Sequence, residues 1–150
     1  MLDNNSANKS KAREYFEKSD NSYANYNLGV FYEEGHVEKI NYNKAMKYFI
    51  KSAKDKYSCA LNKLGYYYKN GLGTEKNIFQ AKTYFEESAK LNNSEALINL
   101  GQLYEKGEGV PQDYSKAQTY YKLSALLGNS DAFIYLGNLY LYGLGVKTNY

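Results

Sequence analysis

Cysteine, proline and histidine occur once each in this 150-residue chain, and tryptophan is absent. One cysteine excludes an internal disulfide framework, and one proline excludes a collagen-like chain. No apolar stretch approaches the length that a membrane span requires, and residues 1–13 are polar, without the apolar core of a secretory signal. With Met1 as the natural start, the expected compartment is therefore the reducing cytoplasm. A dense basic run is also missing: 19 basic and 16 acidic residues are spread along the chain, for a net charge of +3 that names no partner. What is present is 43% hydrophobic and 23% charged residues, too apolar for disorder and enough for one domain with a core.

The chain repeats itself. Gly29, Gly65, Gly101 and Gly137 are spaced by 36 residues, and the same offset relates Leu28, Leu64, Leu100 and Leu136. Two further columns have no exception: Tyr32, Tyr68, Tyr104 and Tyr140, and Gly35, Gly71, Gly107 and Gly143. Ala24, Ala60, Ala96 and Ala132 form a fifth, and the second half of the unit repeats Ala45, Ala81, Ala117 and Tyr48, Tyr84, Tyr120. A period of this size means stacked two-element units. In the first element the shared positions fall at i, i+4, i+5 and i+8, one arc of a helix and not the alternation of a strand. Ser58, Ser94 and Ser130 stand as its expected N-caps, and the glycines at 35, 71, 107 and 143 as its stops. A second helix is expected to open near Asn41, Asn77 and Asp113 and to end before Asn92-Asn93 and Gly128-Asn129. A glycine inside every first helix costs about 1 kcal/mol against alanine, so a neighbouring helix must approach the backbone there. The tyrosine column shares the arc of leucine and alanine and is expected in the core.

One unit reads Ala96-Leu-Ile-Asn-Leu-Gly-Gln-Leu-Tyr104, then Gly107-Glu-Gly-Val110-Pro-Gln-Asp113-Tyr-Ser-Lys-Ala117, then Tyr120-Tyr121 and Ala125. It resembles the Sel1-like repeat family, and the resemblance covers nearly the whole chain from about Lys11. It implies an all-α, right-handed α/α superhelix related to tetratricopeptide repeats, about four 36-residue helix-loop-helix units and eight helices, acting as an adaptor for partner proteins. The single domain 1–150 divides into a partial unit 9–21, full units 22–57, 58–93 and 94–129, and a partial unit 130–150. Lys11-Ala12-Arg-Glu-Tyr15-Phe16 copies Lys44-Ala45-Met-Lys-Tyr48-Phe49, so an isolated second helix precedes the first full unit. Val37 stands where later loops carry Gly73, Gly109 and Gly145, which predicts a different turn in the first loop.

No convergent catalytic constellation is present, so no catalytic, cofactor or metal residue is assigned. His36 shares a column with Leu72, Glu108 and Leu144 and reads as an exposed loop residue; Cys59 has no second thiol with which to bind a metal. Gly71-x-Gly73 follows a helix and lacks a following Gly-Lys-Ser/Thr, so it reads as a helix-terminating turn and not a phosphate loop. The stripe Lys44, Lys47, Lys51, Lys54 and Lys56, with Tyr48 and Tyr57, keeps a nucleic-acid-associated protein as an alternative, and a hydrolase built on a solenoid is a more distant one. The principal expectation is a non-enzymatic scaffold.

Positions that vary between units separate from those that do not. With Ala24 at 0°, the constant arc spans to about 140°, whereas positions 26, 30 and 33 fall at about 180° to 240°. The resemblance places this variable face on the concave groove. In the successive units it reads Tyr26, Val30 and Glu33; Asn62, Tyr66 and Lys69; Ile98, Gln102 and Glu105; and Ile134, Asn138 and Leu141. Apolar anchors among charges suit a partner peptide or helix, the competing reading being that Ile98 and Ile134 pack on a neighbouring helix. At the two ends, an edge carrying Phe133, Tyr140, Tyr142 and Leu144 and another carrying Tyr15 and Phe16 lack polar caps. Either the chain is cut from a longer array or its ends stack between molecules.

Overall fold

The computed structural model describes residues 4–36 and 38–145. Among them are eight α-helices and no strand: α1 (Asn4–Ser19), α2 (Ser22–Glu34), α3 (Tyr42–Ala53), α4 (Ser58–Asn70), α5 (Ile78–Lys90), α6 (Ser94–Lys106), α7 (Tyr114–Leu126) and α8 (Asp131–Leu141). Even-numbered helices are the first helices of the repeat, hereafter A helices, and odd-numbered ones are the second, or B helices. The chain falls into two compact units, Met1–Asn77 and Ile78–Tyr150, so α1–α4 lie in one and α5–α8 in the other.

In each unit consecutive helices pack on one another. The core of the first unit holds Ala24, Leu28, Ala45, Phe49, Leu64 and Tyr67, and that of the second holds Ala96, Leu100, Leu103, Ala117, Tyr121 and Leu139, all nearly excluded from solvent. The helical glycine column is explained by this packing. A Cβ on Gly29 would meet Phe49 Cε1 at 2.5 Å, and one on Gly101 would collide with Tyr121 Cε1, so only hydrogen lets α3 and α7 lie against α2 and α6. The tyrosines follow suit: Tyr32 stacks on Tyr48 with centroids 5.5 Å apart, and Tyr104 stacks on Tyr120 at 5.6 Å.

Helices α2, α4 and α6 end where the sequence predicts, whereas α8 stops at Leu141, one residue short of the position before Gly143. Gly35, Gly71 and Gly107 adopt left-handed φ of 65°, 69° and 68°, the closing conformation that glycine reaches without a Cβ penalty. After each turn the chain is tied back, with the Asn41, Asn77 and Asp113 N–H groups each donating to the carbonyl of the column tyrosine, Tyr32, Tyr68 and Tyr104, at 2.8 Å. Asn41 and Asp113 then cap α3 and α7 by accepting from the Lys44 and Lys116 N–H groups. Val37, on which the prediction of a different first turn rests, lies outside the described residues.

The predicted serine caps are displaced by one residue. The cap of α6 is Asn93, whose Oδ1 accepts from Ala96 N–H at 2.9 Å, and Ser94 begins the helix. Asn21 does the same for α2 at 2.8 Å, whereas Tyr57 precedes α4 with no side-chain cap. Ser130 does precede α8, but its backbone is already helical and its side chain makes no cap bond. The physical reason is reach: an asparagine carbonyl in an extended residue meets the third amide of the helix, which a serine already inside the first turn cannot do.

Candidate functional site

The A helices carry the twelve residues of the variable face, and their surroundings differ sharply between positions. In the first unit the Tyr26 ring lies 5.6 Å from that of Phe49 and 5.4 Å from that of Tyr57, and Val30 is half-buried. Glu33 receives Lys63 Nζ from the next A helix at 2.6 Å. Burial first, and the Glu33 charge beside it second, push the Tyr67 phenol well above its ordinary range. Asn62 is only 7% exposed, Lys69 is half-buried, and Tyr66 stands open at 46%.

In the second unit Gln102 Nε2 donates to Tyr135 Oη at 2.8 Å, again linking consecutive A helices. Glu105 accepts from Tyr121 Oη at 2.5 Å, and burial, reinforced by this carboxylate, raises the Tyr121 phenol as well. Ile98, expected as an apolar anchor, is 8% exposed and packs in a core cluster with Ala132 and Leu139 of α8. Its repeat counterpart Ile134 is 63% exposed, Leu141 is 73% exposed, and Asn138 between them is open. The column is thus not uniformly surface. Ile98 is covered because α8 follows over it, and no described helix covers Ile134. Among the twelve, Tyr66, Ile134, Asn138 and Leu141 are the exposed positions, and Asn62 and Ile98 are interior.

Two sets of residues that matter here lie outside the columns named above. Lys63 and Tyr135, which reach back to the preceding A helix, occupy one column with Asn27 and Asn99, a column conserved in position and not in type. Ser52, Ser88 and Ser124 are all fully buried on B helices. Ser52 Oγ donates to the Ser22 carbonyl at 2.6 Å and Ser124 Oγ to the Ser94 carbonyl at 2.8 Å, bolting the end of each B helix to the start of its A helix. Their spacing of 36 was visible in the sequence.

The residues considered for chemistry are dispersed. His36 is half-buried, its Nδ1 3.1 Å from Lys9 Nζ and its Nε2 paired with Glu34. Cys59 is a half-buried thiol that forms no disulfide. No group of three or more potential metal ligands occurs among the described residues, nor is any described helix long and apolar enough to cross a membrane. Of the lysine stripe, Lys44 pairs with Glu38 and Lys51 with Asp20.

A helix pair of fixed length, repeated in register and closed by the same glycine turn, defines an all-α repeat protein. The Sel1 repeat pattern matches residues 6–19, 22–57, 60–93, 94–129 and 130–150, and the chain belongs to the Sel1 repeat family. Sel1 repeats generally serve as protein–protein interaction modules. A Sel1 repeat protein from Oxalobacter formigenes is 28% identical and superposes with a TM-score of 0.82 over 92% of this chain and 59% of its own. A protective antigen of uropathogenic Escherichia coli strains with an SLR fold is also 28% identical, with a TM-score of 0.83 over 93% of this chain and 30% of its own. The present chain therefore spans less than two thirds of either neighbour. Helicobacter pylori cysteine rich protein B, 24% identical, shares the fold with a TM-score of 0.68 over 85% of this chain and 93% of its own. No curated protein matches the sequence.

Proposed function

We propose that this chain is a non-enzymatic interaction module whose A-helix residues receive a peptide or helix of a partner protein. The observation that carries the reading is on α8, where Ile134 and Leu141 are seven residues apart, share one face, and are both largely exposed beside Asn138. Two aliphatic groups held open on a rigid helix, with an amide between them, suit apolar anchoring and hydrogen bonding of a partner's side chains. In the first unit Tyr66 is the corresponding open aromatic position. The alternative of a nucleic-acid-associated protein is less well supported, since Lys44 and Lys51 of the basic stripe are already paired with carboxylates.

The test is selection of binding peptides from a displayed library with the whole chain as bait, followed by substitution. Tyr66→Ala, Ile134→Lys and Leu141→Lys should weaken the selected peptides by at least about tenfold. Melting temperature should be unchanged, because these side chains are exposed. Peptides that ignore all three substitutions would refute the assigned face.

A further inference from the structure

The two pairs α2–α3 and α6–α7 show what an A helix of this protein accepts from the B helix lying on it. Four contacts recur. A ring of the B helix, Phe49 or Tyr121, lies on the helical glycine, Gly29 or Gly101. The tyrosine one residue earlier, Tyr48 or Tyr120, stacks on the column tyrosine, Tyr32 or Tyr104. A lysine, Lys44 or Lys116, sits over that same tyrosine ring at 4.9 or 4.8 Å. Finally Ser52 or Ser124 donates to the first-turn carbonyl of Ser22 or Ser94.

Helix α8 carries the accepting half of this set with its contacts unmade. A Cβ built on Gly137 meets nothing within 4 Å, and Tyr140, which belongs to the column of Tyr32 and Tyr104, is 56% exposed. Phe133 on the same face is also open, and beside it Lys122, Ala125, Leu126 and Leu136 complete the lining of an apolar depression of about 360 Å³. Helix α1 carries the donating half. Lys11, Tyr15, Phe16 and Ser19 stand at the register of Lys44, Tyr48, Phe49 and Ser52. Tyr15 is 60% exposed; Phe16 is half-buried, with its ring against Tyr23 and Phe31 of α2, whereas Phe49 in the same register is enclosed. Each half lacks the contacts that the other supplies, in matching register.

We infer that copies of this chain associate head to tail, α1 of one copy packing on α8 of the next, with Phe16 over Gly137 and Tyr15 stacked on Tyr140. The surface joins unlike patches, so it leaves a free α8 and a free α1 on every assembly that does not close into a ring. It adjoins the proposed partner face: Gly137 lies about 40–60°, and Tyr140 about 100–120°, around α8 from Ile134 and Leu141.

Sedimentation velocity of the chain over a concentration series tests it, with two blocking variants. Gly137→Leu fills the shelf where the free chain has open space, and Tyr15→Lys charges the opposite patch; both should fold with unchanged helical signal and associate at least about tenfold more weakly. An equimolar mixture of the two retains one intact patch of each kind and should form a 1:1 heterodimer that grows no further. A parent chain that stays monomeric, a variant that associates as the parent does, or a mixture that stays monomeric overturns the inference. A monomeric parent that binds a synthetic peptide copying Asp113–Gly128, and loses it on Gly137→Leu, likewise overturns the second copy as occupant and gives the face to another helix.

Discussion

At Gly101 a single hydrogen decides whether two helices can touch. The ring of Tyr121 occupies the space of the missing Cβ and cannot easily retreat, since its hydroxyl is bound to Glu105 and its face is stacked on Tyr135 at 5.0 Å. Gly101→Ala should therefore cost about 1–3 kcal/mol as overpacking, against a helix-propensity gain of at most about 1 kcal/mol. Gly137→Ala, in open space, should show the propensity gain alone. Chemical denaturation of the two variants checks this, and equal effects would mean that packing does not explain the glycine column.

At the scale of the element, α2 and α6 are bounded by an asparagine cap at one end and a left-handed glycine at the other. The α6 helix is the clearest instance, with Asn93 accepting at its start and Gly107 turning left-handed at its end. Replacing Asn93 with alanine should cost about 1 kcal/mol, whereas Glu95→Ala, one residue into the same helix, should cost a few tenths. Denaturant midpoints at constant slope provide the comparison, and the reverse order of effects would return the capping role to the first turn. The B helices are held differently, through buried Ser52 and Ser124, which make the junction of the two helices a hydrogen bond as well as an apolar contact.

At the scale of the whole molecule, each unit contains a fully buried phenol whose titration opposes folding, Tyr67 in the first and Tyr121 in the second. Both have folded-state pKa values raised by burial and by a neighbouring carboxylate. A raised value means that the folded state holds the proton more tightly than the unfolded chain. Its stabilisation is thus complete below the unfolded tyrosine value of about 10 and is lost as pH climbs above it. Melting temperature should fall above about pH 10, with the last phenolate absorbance appearing together with the loss of helical ellipticity. Tyr121→Phe should remove part of that alkaline sensitivity. Helical signal that persists after every tyrosine has ionised would contradict the burial of both.

The number and order of the helices, the closing glycines and the close approach at Gly29 and Gly101 were legible in the sequence, because four copies of one unit expose their shared constraints by position alone; the same approach expected at Gly137 is not made, since nothing lies within 4 Å of a Cβ there. The Sel1 resemblance rested on the same columns. Exposure was not legible, since it depends on which helix lies over a residue and not on the residue itself. Ile98 and Ile134 are the same residue type in the same column, yet one is core beneath α8 and the other faces solvent. Tyr104 and Tyr140 differ for the same reason. Leu144, read from the sequence as part of an open edge, instead packs partly buried against the core of the second unit, tied by its N–H to the Leu139 carbonyl at 2.8 Å. Periodicity is a local property that a chain carries wherever it is, whereas burial and the partners of Glu33, Glu105 and Gln102, on other helices 30, 16 and 33 residues away, are decided only by tertiary packing.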